Sequence, residues 1–188
     1  MKLDYCTHVS EDVLELYFPD DVDQHDGGVY NSTNRRVESR KETRFRDLVL
    51  SSKVGGELPP EEAVRLLSEK VVAGDLLLKK WDHKIEEIIA RINLLSETFP
   101  EYEISAIDAE ARQLIVEQVC EGAVSYKEIK ERPVKDYIMD WIPSHHYGIL
   151  DRLVPERVTY KDGRDTRVFY SPGEKPKISV MILSLIHI

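Results

Sequence analysis

The clearest pattern in the chain is a stripe of apolar residues, Ile85, Ile88, Ile89, Ile92 and Leu95. Their spacing follows the helical repeat and predicts an amphipathic helix. Asp82 stands where an N-terminal cap belongs, and Pro100 lies beyond the end. A second helix, Glu61 to Ala73, starts after Pro60, turns Val64, Leu67 and Val71 to one side and stops at Gly74. A third, Asp108 to Cys120, points Ala111, Leu114, Ile115 and Val119 inward, with Gly122 as its stop. Ser125 to Lys130 is a short helix in which Ser125 and Glu128 have capping-box spacing. Pro133 to Trp141 and Ser144 to Leu153 complete a helical middle. Near the start, Ser10 can cap a short helix, Glu11 to Phe18, whose apolar side is Val13, Leu14, Tyr17 and Phe18; Pro19 ends it.

Elsewhere the period is two. Lys2 to Thr7 reads as the tail of a strand, and Gly27-Gly28 opens a short strand at Val29-Tyr30. Asn31 to Asn34 is a hairpin turn. Arg36 to Ser51 then reads as one long strand, with Arg36, Glu38, Arg40, Glu42, Arg44 and Arg46 on a wet face and Val37, Thr43, Phe45 and Val49 on a packed one. Lys53 to Pro60 is a linker. After the helices, Val158 to Tyr160 and Thr166 to Tyr170 flank the turn Lys161 to Arg164, where Asp162-Gly163 favours a hairpin. Thr166, Val168 and Tyr170 share one face, Arg167 and Phe169 the other. Pro172 and Gly173 turn the chain toward a last apolar run, Ile178 to Ile182. The fold class is therefore α+β: a β segment with one short helix over 1–56, a helical domain over 57–153, and an incomplete β-hairpin region over 154–182.

Composition narrows the class. The 188 residues are 41% apolar and 32% charged, as in a soluble globular protein of one or two domains. The net charge of −9 argues against a nucleic-acid binder over the whole surface, but the charge is uneven. Acids crowd residues 1–26, whereas Arg35, Arg36, Arg40, Lys41, Arg44 and Arg46 face only Glu38 and Glu42 in the next basic stretch. Cys6 and Cys120 are far apart and outside any metal or redox spacing, which suits a reducing cytoplasm. No leader and no membrane-length apolar run is visible. The sequon Asn31-Ser32-Thr33 reads as turn chemistry.

The basic strand is the first functional candidate. Alternate residues rise about 7 Å per pair, so Arg36, Arg40, Arg44 and Arg46 could follow the phosphates of an extended single strand. The other reading is a solvated face that Glu38 and Glu42 neutralise. Arg157, Lys161, Arg164, Arg167, Lys175 and Lys177 form a second basic cluster near Tyr160, Phe169 and Tyr170, aromatics that either stack bases or pack the hairpin. A nucleotide motor needs a Gly-rich loop with Lys and an acidic pair. Gly173-Glu174-Lys175 lacks the loop spacing, and Asp108-Ala109-Glu110-Ala111 opens a helix, where Asp108 reads as a cap. His145-His146 makes a poor shared ligand set, so no metal site is expected, and Trp81 and Trp141 read as core.

The residues Pro155, Glu156, Arg157, Gly163, Arg167, Tyr170, Ser171, Gly173 and Pro176, in that order around two strands and their turns, resemble the C-terminal region of HrpB-type DEAH-box ATP-dependent RNA helicases. Upstream, Phe18-Pro19 after a short helix and the strand end Leu48 to Ser51 fit the same order, so the resemblance covers most of residues 8–182. It implies an accessory region whose partners are RNA, or single-stranded nucleic acid, and the helicase motor domains upstream. ATP and Mg would serve the full-length helicase, with no cofactor in this chain, and the basic strand would follow or complete an oligonucleotide-binding-like barrel. The basic strand and the basic hairpins thus give the nucleic-acid candidates Arg36, Arg40, Arg44, Arg46, Arg157, Arg164, Arg167 and Lys175, a reading from the residues that the resemblance supports. A stand-alone nucleic-acid-binding module and a protein-interaction module remain the alternatives.

Both ends look artificial. The codons CTG-TCT-CTT-ATA-CAC-ATC would encode Leu183 to Ile188 and match the transposase end used to fragment sequencing libraries. The natural chain is expected to continue past Ile182, and Met1 is expected to be an internal methionine.

Overall fold

The structure is a computed structural model that describes residues 9–179 apart from Glu57 and Tyr147. Its central element is α3 (His83–Thr98). The Asp82 carboxylate accepts from the backbone N–H of Lys84 at 2.9 Å and of Ile85 at 3.2 Å. Two of the unsatisfied donors at the helix start are thereby answered, as the sequence predicts. The whole stripe from Ile85 to Leu95 is buried, and Arg91 is buried with it.

The N-terminal side begins with α1 (Glu11–Tyr17), followed by a single 3-10 turn, Pro19–Asp21. Ser10 makes no side-chain cap, and no residue of α1 is buried. The apolar side predicted there faces out: Tyr17 and Phe18 are exposed, and Phe18 meets only the edge of Phe45, 5.9 Å between ring centres. A three-stranded antiparallel sheet follows, β1 (Val22–Asn31), β2 (Arg36–Phe45) and β3 (Leu48–Val54), in that order. The predicted short strand at Val29-Tyr30 is thus the end of a ten-residue strand. The long strand expected over Arg36 to Ser51 is two strands, split at Arg46-Asp47. Arg46 adopts a φ of +54° there, and its N–H donates to the Asp21 carbonyl at 2.9 Å. At the other hairpin, Asn31 Oδ1 accepts from Thr33 N at 3.0 Å and Asn34 Oδ1 from Arg36 N at 3.1 Å, which is the turn chemistry expected of these residues.

Among the described residues, five further helices and a second three-stranded sheet follow. α2 (Pro60–Val72) packs on α4 (Ala109–Cys120), which Asp108 caps through Ala111 N at 2.9 Å. The buried stripe of α4 runs through Ala111, Ile115 and Val119 with Val116 and Cys120 on its flank. That rotation leaves Leu114 52% exposed, against the expectation that it points inward. In α5 (Tyr126–Ile129) the predicted capping box does not close: Ser125 bonds the Glu128 carboxylate, which accepts from Val124 N instead. The preceding backbone is occupied otherwise. Val37 N donates to Val124 O at 2.8 Å and Tyr126 N to Arg35 O at 2.9 Å, so residues 124–126 extend the sheet beside β2. α6 (Val134–Met139) is as expected, but Ser144 to Leu153 is not one helix. A 3-10 turn, Ser144–His146, precedes α7 (Ile149–Leu153), and Gly148 between them has a φ of +85°.

The second sheet orders β4 (Arg157–Thr159), β5 (Asp165–Phe169) and β6 (Lys177–Ile178) antiparallel. Tyr160 N donates to Arg164 O at 2.8 Å and Gly163 N to Tyr160 O at 2.9 Å, with Gly163 at φ +82°, a turn that needs glycine at its left-handed position. Val168 is buried, and the Tyr170 hydroxyl donates to Pro155 O at 2.7 Å. The strand tail expected at Lys2 to Thr7, most of the apolar run expected over Ile178 to Ile182, and the suspected tail Leu183 to Ile188 lie outside the described residues.

One hydrophobic cluster runs from Val37 of β2 through the helices to Val154, so the sheet and the helices share a core. Among the described residues no helix is long and apolar enough to cross a membrane. Polar links tie the helices together. Asn93 of α3 accepts from Ile107 N at 2.6 Å and donates to Ile107 O at 3.2 Å. Glu86 accepts from Arg112 at 2.7 and 2.8 Å and from Trp81 Nε1 at 2.7 Å. The Arg112 bonds, helped by Trp81 and opposed by burial, hold the Glu86 carboxyl below the usual carboxylate range. A depressed acid contributes stability above its unfolded pKa and loses it as pH falls through its folded pKa. Glu86→Gln is therefore expected to lower the melting temperature at neutral pH, with the difference from the parent shrinking as pH falls below that range. A difference independent of pH would contradict this role.

Candidate nucleic-acid interface

The even face of β2 is an alternating ladder: Arg36, Glu38, Arg40, Glu42, Arg44. Each base has an acid beside it. Arg44 donates to Glu42 Oε2 through Nε at 3.0 Å and Nη2 at 2.7 Å. Glu38 accepts from Asn34 at 2.5 Å and from Asn31 at 3.2 Å; these bonds, with Arg40 and Arg36 nearby, hold its carboxyl below the usual range. On β1, Asp23 stands opposite Arg44. Arg40 differs from its neighbours: its buried Nε has no hydrogen-bond partner among the described residues. Arg46 leaves the row altogether. It sits in the β2–β3 turn and grips Asp21 with two bonds of 3.0 Å, which push the Asp21 carboxyl down. The row that points along the strand is thus Arg36, Arg40 and Arg44.

The second basic cluster divides likewise. Arg164 folds back on Asp162 at the hairpin tip, with Nε 2.6 Å from Oδ2. Lys175 is exposed in the turn between β5 and β6, where Lys177 pairs with Glu174 at 2.6 Å. Arg157 and Arg167 stand directly opposite each other on β4 and β5. Arg167 reaches Glu87 of α3 at 2.6 Å, whereas Arg157 lies 3.9 Å from Asp165. Both arginines line a groove of about 570 Å³ between the hairpin and the starts of α3 and α6. The groove also takes in Lys80, Lys84 and Lys135, which sequence reasoning missed because they come from three separate places in the chain. The signal available was local: Lys84 occupies the first turn of a long helix, where the helix dipole disfavours a cation.

The arrangement of these elements is not unique to this chain. The solved E. coli DExH-box NTPase HrpB superposes with a TM-score of 0.59 at 16% identity, over 93% of this chain and 22% of that one. The solved Escherichia coli DEAH/RHA helicase HrpB gives 0.60 at 15% identity, over 89% and 22%. The fold is that of a segment of HrpB. The chain spans only about a fifth of the HrpB length, 22% in either comparison. No protein-family model matches the chain, and no curated protein matches it.

Within this HrpB-like fold the remaining candidates are structural. Asp108 spends its carboxylate on the cap of α4, and Gly173 to Lys175 is an exposed turn, so neither fits the phosphates or metal of a bound nucleotide. The His145 and His146 rings lie 4.1 Å apart, tilted at 52°, and His146 meets Tyr102 edge-on at 5.2 Å. Among the described residues no three His, Cys, Asp or Glu gather to hold a metal. Burial pushes the Cys120 thiol up to about 11, which makes it a poor nucleophile. Trp81 and Trp141 are half-buried and donate to Glu86 and to Ser105 O.

Proposed function

We propose that the chain is an accessory region of an HrpB-like ATP-dependent helicase and contributes nucleic-acid guidance or control of the motor. The observation that carries this reading is the likeness over 93% of the chain to a 22% stretch of HrpB. The order of residues from Pro155 to Pro176 supports the same placement. In this reading ATP and Mg belong to motor domains outside this sequence, and the assembled helicase works in the cytoplasm. RNA, or a single strand more broadly, is the ligand. Arg36, Arg40 and Arg44 along β2 and the hairpin bases provide the cations.

The test is equilibrium binding of labelled single-stranded RNA at several salt concentrations. Binding should weaken steeply as salt rises, because released counterions drive it. Arg40→Glu with Arg44→Glu is expected to lower both the affinity and the salt slope, by about 0.7 in slope for each phosphate no longer neutralised. Unchanged values would remove β2 from the interface. A second reading, contact with protein, is favoured by the exposed apolar residues Leu16, Tyr17, Leu48 and Val49 on α1 and β3. A stable protein partner without salt-dependent RNA binding would put that reading first.

A further inference from the structure

We propose that the groove between the β4–β5 hairpin and the starts of α3 and α6 holds the phosphodiester backbone of a single-stranded nucleic acid. The inference rests on the nucleic-acid reading above and gives it a site. Lys80, Lys84, Lys135, Arg157 and Arg167 line the groove together with Asp82, Glu87 and Glu156. The acids are already engaged. Asp82 caps α3, Glu87 holds Arg167, and Glu156 accepts from Arg91 at 2.9 Å. Lys80, Lys84 and Lys135 make no side-chain hydrogen bond or ion pair among the described residues, and all three are exposed. The groove lining therefore carries five bases against three acids, a local excess of positive charge on a chain whose net charge is −9.

Two of these bases stand where folding disfavours them. Lys84 lies in the first turn of the sixteen-residue α3, at the positive end of its dipole. Arg157 is directly opposite Arg167 across the strand pair, and like charges so placed repel. Glu87 and Asp165 offset part of that repulsion, and both bases line the one groove, where an anion between them would add a further partner. An isolated phosphate would satisfy the charge but would not use the rest of the site. Ile85 and Ile88 show only a narrow apolar edge in the groove, 4% and 8% exposed, against which a sugar can lie. Phe169 is on the same face of β5 as Arg167, is 46% exposed, and has the Arg167 guanidinium 5.5 Å from its ring centre. It is a stacking platform for a base at the hairpin edge. A cavity of this size takes about one or two nucleotides of a single strand.

The test uses the whole chain, a short labelled oligouridylate, and anisotropy titrations across a potassium chloride series. Lys84→Glu with Lys135→Glu is expected to weaken binding about tenfold or more and to reduce the salt slope by about 1.4, roughly 0.7 for each of two phosphates. Lys84→Arg with Lys135→Arg should keep both values near the parent. The melting temperature of the Glu pair should hold or rise, because an acid in the first turn suits the helix dipole. If the parent binds and the Glu pair binds equally with an unchanged slope, the groove is overturned while the nucleic-acid reading stands on another surface. If the parent shows no salt-dependent binding, the reading itself fails and the groove with it.

Discussion

Arg91→Met is expected to lower the unfolding free energy by about 2–4 kcal/mol. Arg91 is 2% exposed, yet it carries a full charge into the core. Three bonds hold it. Nε donates to Val154 O at 2.8 Å, Nη1 to Glu156 at 2.9 Å, and Nη2 to Asp151 at 2.6 Å. Its guanidinium also lies 6.0 Å from the Tyr170 ring. One side chain of α3 thus fastens α7, the start of β4 and the end of β5. Asp151 and Glu156 themselves face water, so removing Arg91 strands no buried acid; the cost comes from the orphaned Val154 carbonyl and the poorer packing. The complementary variant, Asp151→Asn with Glu156→Gln, removes two counter-charges that water screens and leaves carbonyl acceptors in their place, so it should cost less, about 1 kcal/mol. Urea unfolding checks both, and amide exchange should show the β4–β5 hairpin opening before the helices in the Arg91 variant. A change below about 0.5 kcal/mol would show that the hairpin is held by other interactions.

The second large effect separates two neighbours. Ile115→Ala is expected to cost about 2–5 kcal/mol, and Leu114→Ala to stay within about 0.5 kcal/mol. Ile115 is fully buried on α4, whereas Leu114 is half exposed on the adjacent flank. Urea midpoints of the two variants measured side by side settle the helix rotation. Equal losses would mean that Leu114 is covered in solution.

This pair also shows what periodicity can reveal. A stripe recurring every three or four residues fixes that a helix exists, and where α3 is concerned it fixed the buried face as well, because Asp82 and five aliphatic residues agree. In α4 two adjacent apolar residues were both compatible with the stripe, and only packing against α2 decides between them. The β2–β3 hairpin was hidden for a related reason. The two-residue turn reverses the phase of the alternation, setting Leu48 opposite Phe45 and Val49 opposite Arg44, so Val49 is exposed and not on the packed face expected; Arg46-Asp47 contains no glycine to mark the turn, even though Arg46 adopts a positive φ. The break at Gly148 was marked by a glycine but read as part of a helix. The C-terminal hairpin was legible because Asp162-Gly163 is flanked by β-rich runs.

The candidate site was legible only in part. Arg157 and Arg167 were recognised from one hairpin, but their lysine neighbours come from a loop and two helix starts that only the tertiary fold brings together. Conversely, the spacing of Arg36, Arg40 and Arg44 was correct as geometry, but the sequence could not show Arg44 already bonded to Glu42 or Arg46 turned onto Asp21. Charge runs show which residues share a strand face; they do not show which charges are compensated.

The proposed placement of this chain within a longer helicase is tested most directly by sequencing its parent locus across both ends of the reading frame. The account expects an in-frame upstream region encoding a Gly-rich loop that ends in Lys-Ser or Lys-Thr and an acidic box, and a different continuation in place of Leu183 to Ile188. A frame that opens at Met1 and closes at Ile188 would contradict it, and would leave the HrpB likeness as shared fold alone.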